Sequence, residues 1–348
     1  MIRAASLSAA STITCSFSDP GYFIMIRIGT RDSQLAVWQA TQVKNLLESL
    51  GTPAQLELVK SEGDLDLVTP LYAMGVQGVF TRVLDTALLN NKIDVAVHSM
   101  KDVPVQLPEG IVEAAVLERA SYNDILVLNP NWQAPDNEVQ ISNLKSQIST
   151  PETLNVEPET FPLTIATSSV RRKAQWLNRF PGHTIENIRG NVNTRLRKLS
   201  ESNWFGAIFA EAGLERIGLK PANSITLNWM LPAPAQGAIM ITARKGDAAV
   251  LRACSRINHT ATAYCVKAER DFLSELMGGC ATPISALATI HQNSLHFKGS
   301  IVTPEGGQKI AVNETYAIDA NIPAGKAAAA AILEKGAGPL IAKMNHEQ

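Results

Sequence analysis

Ile93-Asp94-Val95-Ala96-Val97-His98-Ser99-Met100-Lys101-Asp102-Val103-Pro104 is the segment from which the architecture unfolds. Ile93–His98 is a nearly unbroken apolar run, which predicts a strand buried on both faces, and it stops abruptly at a Lys-Asp pair. The flanks support a parallel sheet. Upstream, Met25–Gly29 reads as a strand, Ser33–Leu50 as a helix with apolar Leu35, Trp38, Val43, Leu46, Leu47 and Leu50, Gln55–Lys60 as a strand and Val79–Asn90 as a helix. Strands alternating with crossover helices give an α/β fold.

Further along the chain the rhythm breaks and returns. Pro130, Pro135, Pro151, Pro158 and Pro162 sit among Asn, Gln and Ser, which predicts an irregular surface insertion over about 130–162. Leu163–Ala166 then reads as a strand, Val170–Arg179 as a helix, Thr184–Ile188 as a strand, Val192–Ser200 as a helix, and Gly206–Ala210 and Ala238–Ala243 as strands. A helix from Ala261 to about Leu276 ends at Gly278-Gly279. Alternation over Leu295–Val302 and an Ala-rich helix at Ala324–Lys335 predict a small α+β domain appended to two α/β domains.

The 348 residues, 45% hydrophobic and 18% charged, suffice for two or three packed domains. Lys plus Arg total 31 against 32 Asp plus Glu, a net charge of −1, which argues against a general nucleic-acid binder. No apolar run approaches the roughly 20 residues that span a bilayer. Cys15, Cys254, Cys265 and Cys280 show no CxxC spacing, and the six histidines form no HExxH or Cys/His pair at ligand spacing, so no metal is expected. Neither a P-loop nor GxGxxG occurs. These features predict a soluble cytoplasmic protein with no membrane or nucleic-acid partner. Residues 1–24 read as a disordered extension or an over-long start, because Met25-Ile-Arg repeats the opening Met1-Ile-Arg.

Four segments place polar groups just past a predicted strand, where ligands bind in open α/β sheets. Gly29-Thr30-Arg31-Asp32-Ser33 joins strand to helix, with Arg31 beside the cap; alone it also reads as an ordinary capped helix. Lys101-Asp102 offers a carboxylate beside an ammonium, or simply a solvated ion pair. Thr167-Ser168-Ser169-Val170-Arg171-Arg172 sets hydroxyls and two guanidinium groups at a helix start, an anion-site pattern. Arg189-Gly190-Asn191 leads into a helix carrying Arg195. So many arginines at equivalent strand-to-helix junctions call for a ligand with several carboxylates. Cys280, after two glycines, reads either as a buried inert thiol or as a reactive one.

Taken together these motifs resemble the porphobilinogen deaminase (hydroxymethylbilane synthase) family from about Met25 onward. The strongest are His98-Ser99-Met100-Lys101-Asp102-Val103-Pro104, Thr167-Ser168-Ser169-Val170-Arg171-Arg172, Arg189-Gly190-Asn191-Val192-Asn193-Thr194-Arg195-Leu196 and Gly278-Gly279-Cys280. Ala212-Gly213-Leu214-Glu215-Arg216-Ile217-Gly218-Leu219 and Ala268-Glu269-Arg270 add to them. The resemblance implies two type-II periplasmic-binding-protein-like α/β lobes around a cleft plus a small C-terminal α+β domain. Domain 1 would comprise 25–120 and 237–255, domain 2 residues 121–236, and domain 3 residues 256–348.

It further implies a monomeric transferase of haem and tetrapyrrole biosynthesis. Four porphobilinogen molecules would be deaminated and joined head to tail on a dipyrromethane cofactor linked to Cys280, releasing ammonia and hydroxymethylbilane. Asp102 matches the family's catalytic aspartate. Lys101, Ser169, Arg171, Arg172 and Arg195 match positions that hold cofactor carboxylates, and Arg31, Ser33, Arg189 and Arg216 match positions nearer the incoming substrate.

The match is incomplete in two places. Ala73 and Gln77 stand where many bacterial members carry lid lysines, with Val68 in place of an acid, and Pro232-Ala233-Pro234-Ala235-Gln236-Gly237 departs from the usual Val-Gly before Gln-Gly. The alternative function is a non-catalytic or impaired relative that binds a small polycarboxylate in the same cleft.

Overall fold

The computed structural model describes residues 25–59, 81–133, 146, 148–149, 162–276, 283–318 and 322–346. The extension at 1–24, the lid residues Val68, Ala73 and Gln77, most of the 130–162 insertion and Cys280 lie outside the described residues.

The first lobe is built on β1 (Ile26–Thr30), α1 (Gln34–Ser49), β2 (Ala54–Leu58), α2 (Arg82–Leu89), β3 (Val95–Ser99) and β4 (Ile111–Val116). Helix α1 starts where the Ser33 hydroxyl accepts a hydrogen bond from the Ala36 N–H, and it buries Ala36, Ala40, Val43 and Leu47 along one stripe. The second lobe runs through β5 (Asp124–Leu128), β6 (Thr164–Ala166), α3 (Val170–Arg179), β7 (Thr184–Glu186), α4 (Val192–Ser200), β8 (Gly206–Ala210), α5 (Glu211–Glu215) and β9 (Ser224–Thr226). The chain then returns to the first lobe as β10 (Ile239–Arg244) and α6 (Ala248–Ser255).

One plan serves both sheets. Their orders are β2-β1-β3-β10-β4 and β7-β6-β8-β5-β9. In each, three parallel strands are followed by an antiparallel strand that the chain inserts from the far side of the lobe junction. Strand β5 enters before the rest of its lobe is made, and β10 arrives after the other lobe is complete. Two crossing segments, 117–123 and 227–238, therefore connect the lobes. They press together at Gly237, whose φ is +87° and where a Cβ would lie 2.6 Å from the Ser121 carbonyl oxygen. This is the expected architecture of two type-II periplasmic-binding-protein-like lobes.

The C-terminal unit packs α7 (Thr260–Leu276) and α8 (Ala324–Ile332) on an antiparallel sheet of β11 (Ile284–His291), β12 (Ser294–Val302) and β13 (Lys309–Ala317). Phe272, Leu276, Leu295, Phe297 and Ile332 form its core. Gly299 lets the tip of the Phe272 ring approach β12, since a Cβ there would sit 2.6 Å from it. The Ala-rich helix is shorter than its composition suggests. It gives way at Leu333–Ala337, where Gly336 has φ +92°, and resumes as α9 (Gly338–His346). A smaller apolar cluster of Met100, Val103, Val116, Ala235, Ala238, Met240 and Val266 joins the three units beneath the turn that carries Asp102.

Candidate functional site

Among the described residues, the candidate side chains lie in the segments that follow parallel strands β1, β3, β6, β7 and β8. After β3 the chain makes a single tight turn, Met100–Asp102, held by Met100 N–H donating to the Ala238 carbonyl (3.0 Å) and Val103 N–H to the Met100 carbonyl (3.1 Å). After β6, Ser169 caps α3 by accepting from the Arg172 N–H (3.4 Å). Asn191 caps α4 in the same way through the Thr194 N–H (2.9 Å). The Ser168 hydroxyl donates to the Ile188 carbonyl (2.6 Å), so the Ser169 and Arg189 loops lie side by side.

The arginine pair at α3 behaves differently from its sequence pattern. Arg171 and Arg172 are buried, and the anion they meet is the chain's own Asp124, which is fully enclosed at the start of β5. Arg171 Nη2 donates to Asp124 Oδ2 (2.8 Å), while Arg172 Nε (3.1 Å) and Nη2 (2.7 Å) donate to Oδ1. Arg171 Nη1 and Arg172 Nη1 donate to the Leu231 and Ile208 carbonyls. The two guanidinium groups hold the Asp124 carboxyl well below the usual carboxylate range despite its burial. Gln236 extends the network: its Nε2 donates to Asp124 Oδ1 (2.9 Å) and its Oε1 accepts from Lys101 Nζ (3.3 Å).

This network leaves cationic capacity facing outward. Lys101 donates to a neutral amide among the described residues, and burial beside Arg171 and Arg172 pushes its ammonium down to about 8, against the pull of Asp102 and Asp124. Arg195 donates its Nε to the Gly190 carbonyl (3.0 Å) and lies 5.7 Å from the Phe209 ring centroid. Burial and the neighbouring Arg172 lower Arg195 to about 10, while Asp102 opposes the shift. Lys101, Asp102, Arg171, Arg172 and Arg195 thus share one electrostatic field. Asp102 is exposed within it, and no side chain among the described residues hydrogen-bonds its carboxylate.

The remaining candidates line the approach. Arg31 acts on the buried His98, which desolvation and that positive charge lower to about 4. Arg216 reaches from lobe 2, donating Nη2 to the Gly237 carbonyl (2.6 Å) and covering the Trp38 ring of lobe 1 at 5.7 Å. Burial lowers Arg216 to about 10. Arg189 keeps a buried Nη1 with no hydrogen-bond partner among the described residues, and so does Arg171 at Nε. Ser33 sits at the α1 N-terminus, where Asn193 of lobe 2 donates to the Gln34 amide oxygen (2.9 Å).

Asp124, Gln236, Glu269 and Arg270 were not foreseen as members or supports of this site. Asp124 carried one available signal, a single acid opening the all-apolar run Ile125–Leu128. Glu269 is completely buried and accepts from Arg119 Nη1 (2.6 Å) and Nη2 (3.1 Å) and from the Ala235 (2.6 Å) and Ala288 (2.7 Å) N–H groups.

Two α/β lobes joined by a double crossing, with cations gathered around one exposed carboxylate, define a two-lobed protein that handles a small polycarboxylate. The family model "Porphobilinogen deaminase, dipyromethane cofactor binding domain" matches residues 26–252, and the C-terminal domain model of the same family matches 263–334. The porphobilinogen deaminase of Syntrophomonas wolfei is 37% identical over 320 residues, covering 91% of this chain and 97% of the relative. The probable porphobilinogen deaminase of Methanocaldococcus jannaschii is 38% identical over 283 residues, 80% of this chain and 88% of that one. Among solved structures, the methionine binding protein MetQ aligns with a TM-score of 0.38 at 12% identity, covering 67% of this chain and 89% of its own.

The chain belongs to the porphobilinogen deaminase family. Its function is that of the family: hydroxymethylbilane synthesis from porphobilinogen for tetrapyrroles, with dipyrromethane as cofactor. The residues present fit such a group. Its pyrroles carry acetate and propionate arms, and the structure supplies Lys101 and Arg195 without a carboxylate bond and an unmatched buried nitrogen on Arg189.

Proposed function

We propose that Asp102 is the catalytic carboxylate and that Cys280 carries the dipyrromethane. Lys101, Ser169 and Arg195 hold its carboxylate arms, with Arg171 and Arg172 fixed behind them, and Arg31, Ser33, Arg189 and Arg216 receive porphobilinogen. The observation that carries this reading is the exposed Asp102 carboxylate, hydrogen-bonded by no described side chain and interacting with Lys101 and Arg195. The cations match substrate and cofactor carboxylates, while the exposed anion faces charge that is positive only during reaction.

When bound, the dipyrromethane supplies the pyrrole onto which substrate units are joined. The chain's own residues orient and compensate. Asp102 accepts hydrogen bonds from pyrrole N–H groups and stabilises the positive charge that develops on porphobilinogen as ammonia departs. The same carboxylate is placed to receive the proton released when the new bond restores aromaticity. Lys101 and Arg195 bind the acidic arms by charge-assisted hydrogen bonds.

We also place domain 1 at 25–120 and 237–255, domain 2 at 121–236 and domain 3 at 256–348, in a cytoplasmic monomer. No described helix is long and apolar enough to cross a membrane. The test is intact mass with Ehrlich's reagent on the purified chain, followed by ammonia release from porphobilinogen. A dipyrromethane adduct lost in Cys280→Ser, with turnover in the wild type, supports the reading. An adduct without ammonia release supports the impaired, binding-only alternative, and an unmodified thiol after incubation with porphobilinogen refutes the cofactor assignment.

A further inference from the structure

We propose that Arg270, on α7 of the C-terminal unit, is a positioning residue that sets the Asp102 carboxylate for catalysis; this rests on the reading of Asp102 given above. Arg270 is 9% exposed, and its guanidinium sits under the turn that follows β3. Its Nη1 donates to the Val103 carbonyl (2.9 Å) and points at the Met100 carbonyl (3.5 Å). Its Nη2 donates to the carbonyls of Pro104 (2.6 Å) and Val105 (3.3 Å). One side chain thus faces four carbonyl oxygens on both sides of Asp102.

The arrangement is informative because Asp102 has no side-chain partner of its own among the described residues. Its direction is inherited from the backbone of the turn. Besides its internal Val103 N–H bond to Met100, that backbone is held by the Met100 N–H bond to Ala238 on one side and by Arg270 on the other. A tight turn exposes carbonyls that point together, and a buried guanidinium, with donors in a fixed planar fork, satisfies several of them at once. Val266, one helical turn before Arg270, packs against the Met100 and Val103 cluster from the same face of α7.

The helix is itself fixed in place. Glu269, the preceding residue, is pinned by Arg119 and by the Ala235 and Ala288 N–H groups. Rotation or sliding of α7 would break those bonds before it moved Arg270. Burial lowers Arg270, and Glu113 on β4 and Asp271 on α7 only partly oppose that, with no described carboxylate in direct contact. The carbonyls supply the compensation that those acids leave incomplete, and their convergence on one guanidinium around Asp102 points to orientation of the turn.

The test uses the full-length, cofactor-loaded chain with Arg270→Gln and Arg270→Lys. Cofactor content, thermal unfolding, kcat per loaded molecule and KM for porphobilinogen are measured for each. Arg270→Gln is expected to fold and load while kcat falls by up to about 10²-fold, the scale of an ångström-level misplacement, with KM near that of the wild type. Arg270→Lys, which keeps the charge and can reach two carbonyls, falls between the two and serves alone if the glutamine variant does not fold. An unchanged kcat in a folded, loaded variant overturns the proposal. So does a loss of kcat that moves in step with KM and melting temperature and is not rescued by lysine. Asp102→Asn measured alongside separates the two assignments. If it turns over normally, the reading of Asp102 fails and this inference fails with it. If it is inactive while Arg270→Gln is normal, only the role of Arg270 is refuted.

Discussion

Replacing Asp124 by Asn removes one charge and almost no volume, which isolates the electrostatics of the buried pair. The remaining amide oxygen can still accept from Arg172 and Gln236, as Oδ1 does at 2.7, 3.1 and 2.9 Å. The new NH2 group faces Arg171 Nη2, which now stands 2.8 Å from Oδ2, so donor meets donor. Both arginine side chains are 7% exposed and Asp124 is 0% exposed, leaving two guanidinium groups with no anion and little water. Stranding buried charge in this way costs about 3–5 kcal/mol, roughly two to three and a half powers of ten in the folding equilibrium.

Urea unfolding followed by tryptophan fluorescence suits the measurement, because Trp132, Trp176, Trp204 and Trp229 all lie in the sequence of the second lobe. Run as a double-mutant cycle with Arg171→Met, the double variant should cost less than the sum of the singles, since it also removes a stranded cation. The pH dependence gives a second reading. Asp124 is ionised in the fold well below its unfolded value, so the advantage of wild type over Asp124→Asn is full above about pH 5. It shrinks as pH falls below about 4, where the unfolded chain takes up the proton. A cost below about 1 kcal/mol, strict additivity with Arg171→Met, or a difference that grows in acid would refute the reasoning.

Lys101, lowered to about 8, carries its charge below that pH and loses it above, so assembly of the dipyrromethane on the unloaded chain should slow as pH rises through 8. Lys101→Arg should abolish that limb of the loading-rate profile, and a profile identical in both proteins would count against Lys101 as a ligand of the cofactor's carboxylates. Glu269→Gln should cost about 3–5 kcal/mol and release the C-terminal unit, because it strands Arg119 and puts an NH2 group against the Ala235 or Ala288 N–H. Limited proteolysis between α6 and α7 reads the release, and wild-type resistance there would show that Glu269 does not pin the units.

Elements whose local chemistry agreed at several levels were legible. Val170–Arg179 and Val192–Ser200 have a cap, an apolar stripe and basic residues in the last turn, and both helices form over those limits. Gly206–Ala210 is a short apolar run closed by a helix start, and it too forms as read. Strands β4, β5, β9, β11 and β13 were not foreseen. Ile111–Val116 and Asp124–Leu128 owe their conformation to antiparallel partners at least 78 residues away, and Lys309–Ala317 is a mostly exposed strand rich in polar residues. At the site, the recurrent arginines marked the right junctions. What the chain could not display was ownership. Nothing local says that Arg171 and Arg172 are held by an acid 47 and 48 positions earlier, or that Arg270 serves a turn 167 positions before it.

The exchange of β5 and β10 between lobes has a consequence for biosynthesis on the ribosome. The second lobe can close once Thr226 has emerged, because every strand it needs precedes that point. The first lobe, although translated earlier, keeps a gap between β3 and β4 until Ile239–Arg244 arrives. The nascent chain therefore matures out of birth order, and chains that stall before residue 239 carry bare strand edges that invite self-association.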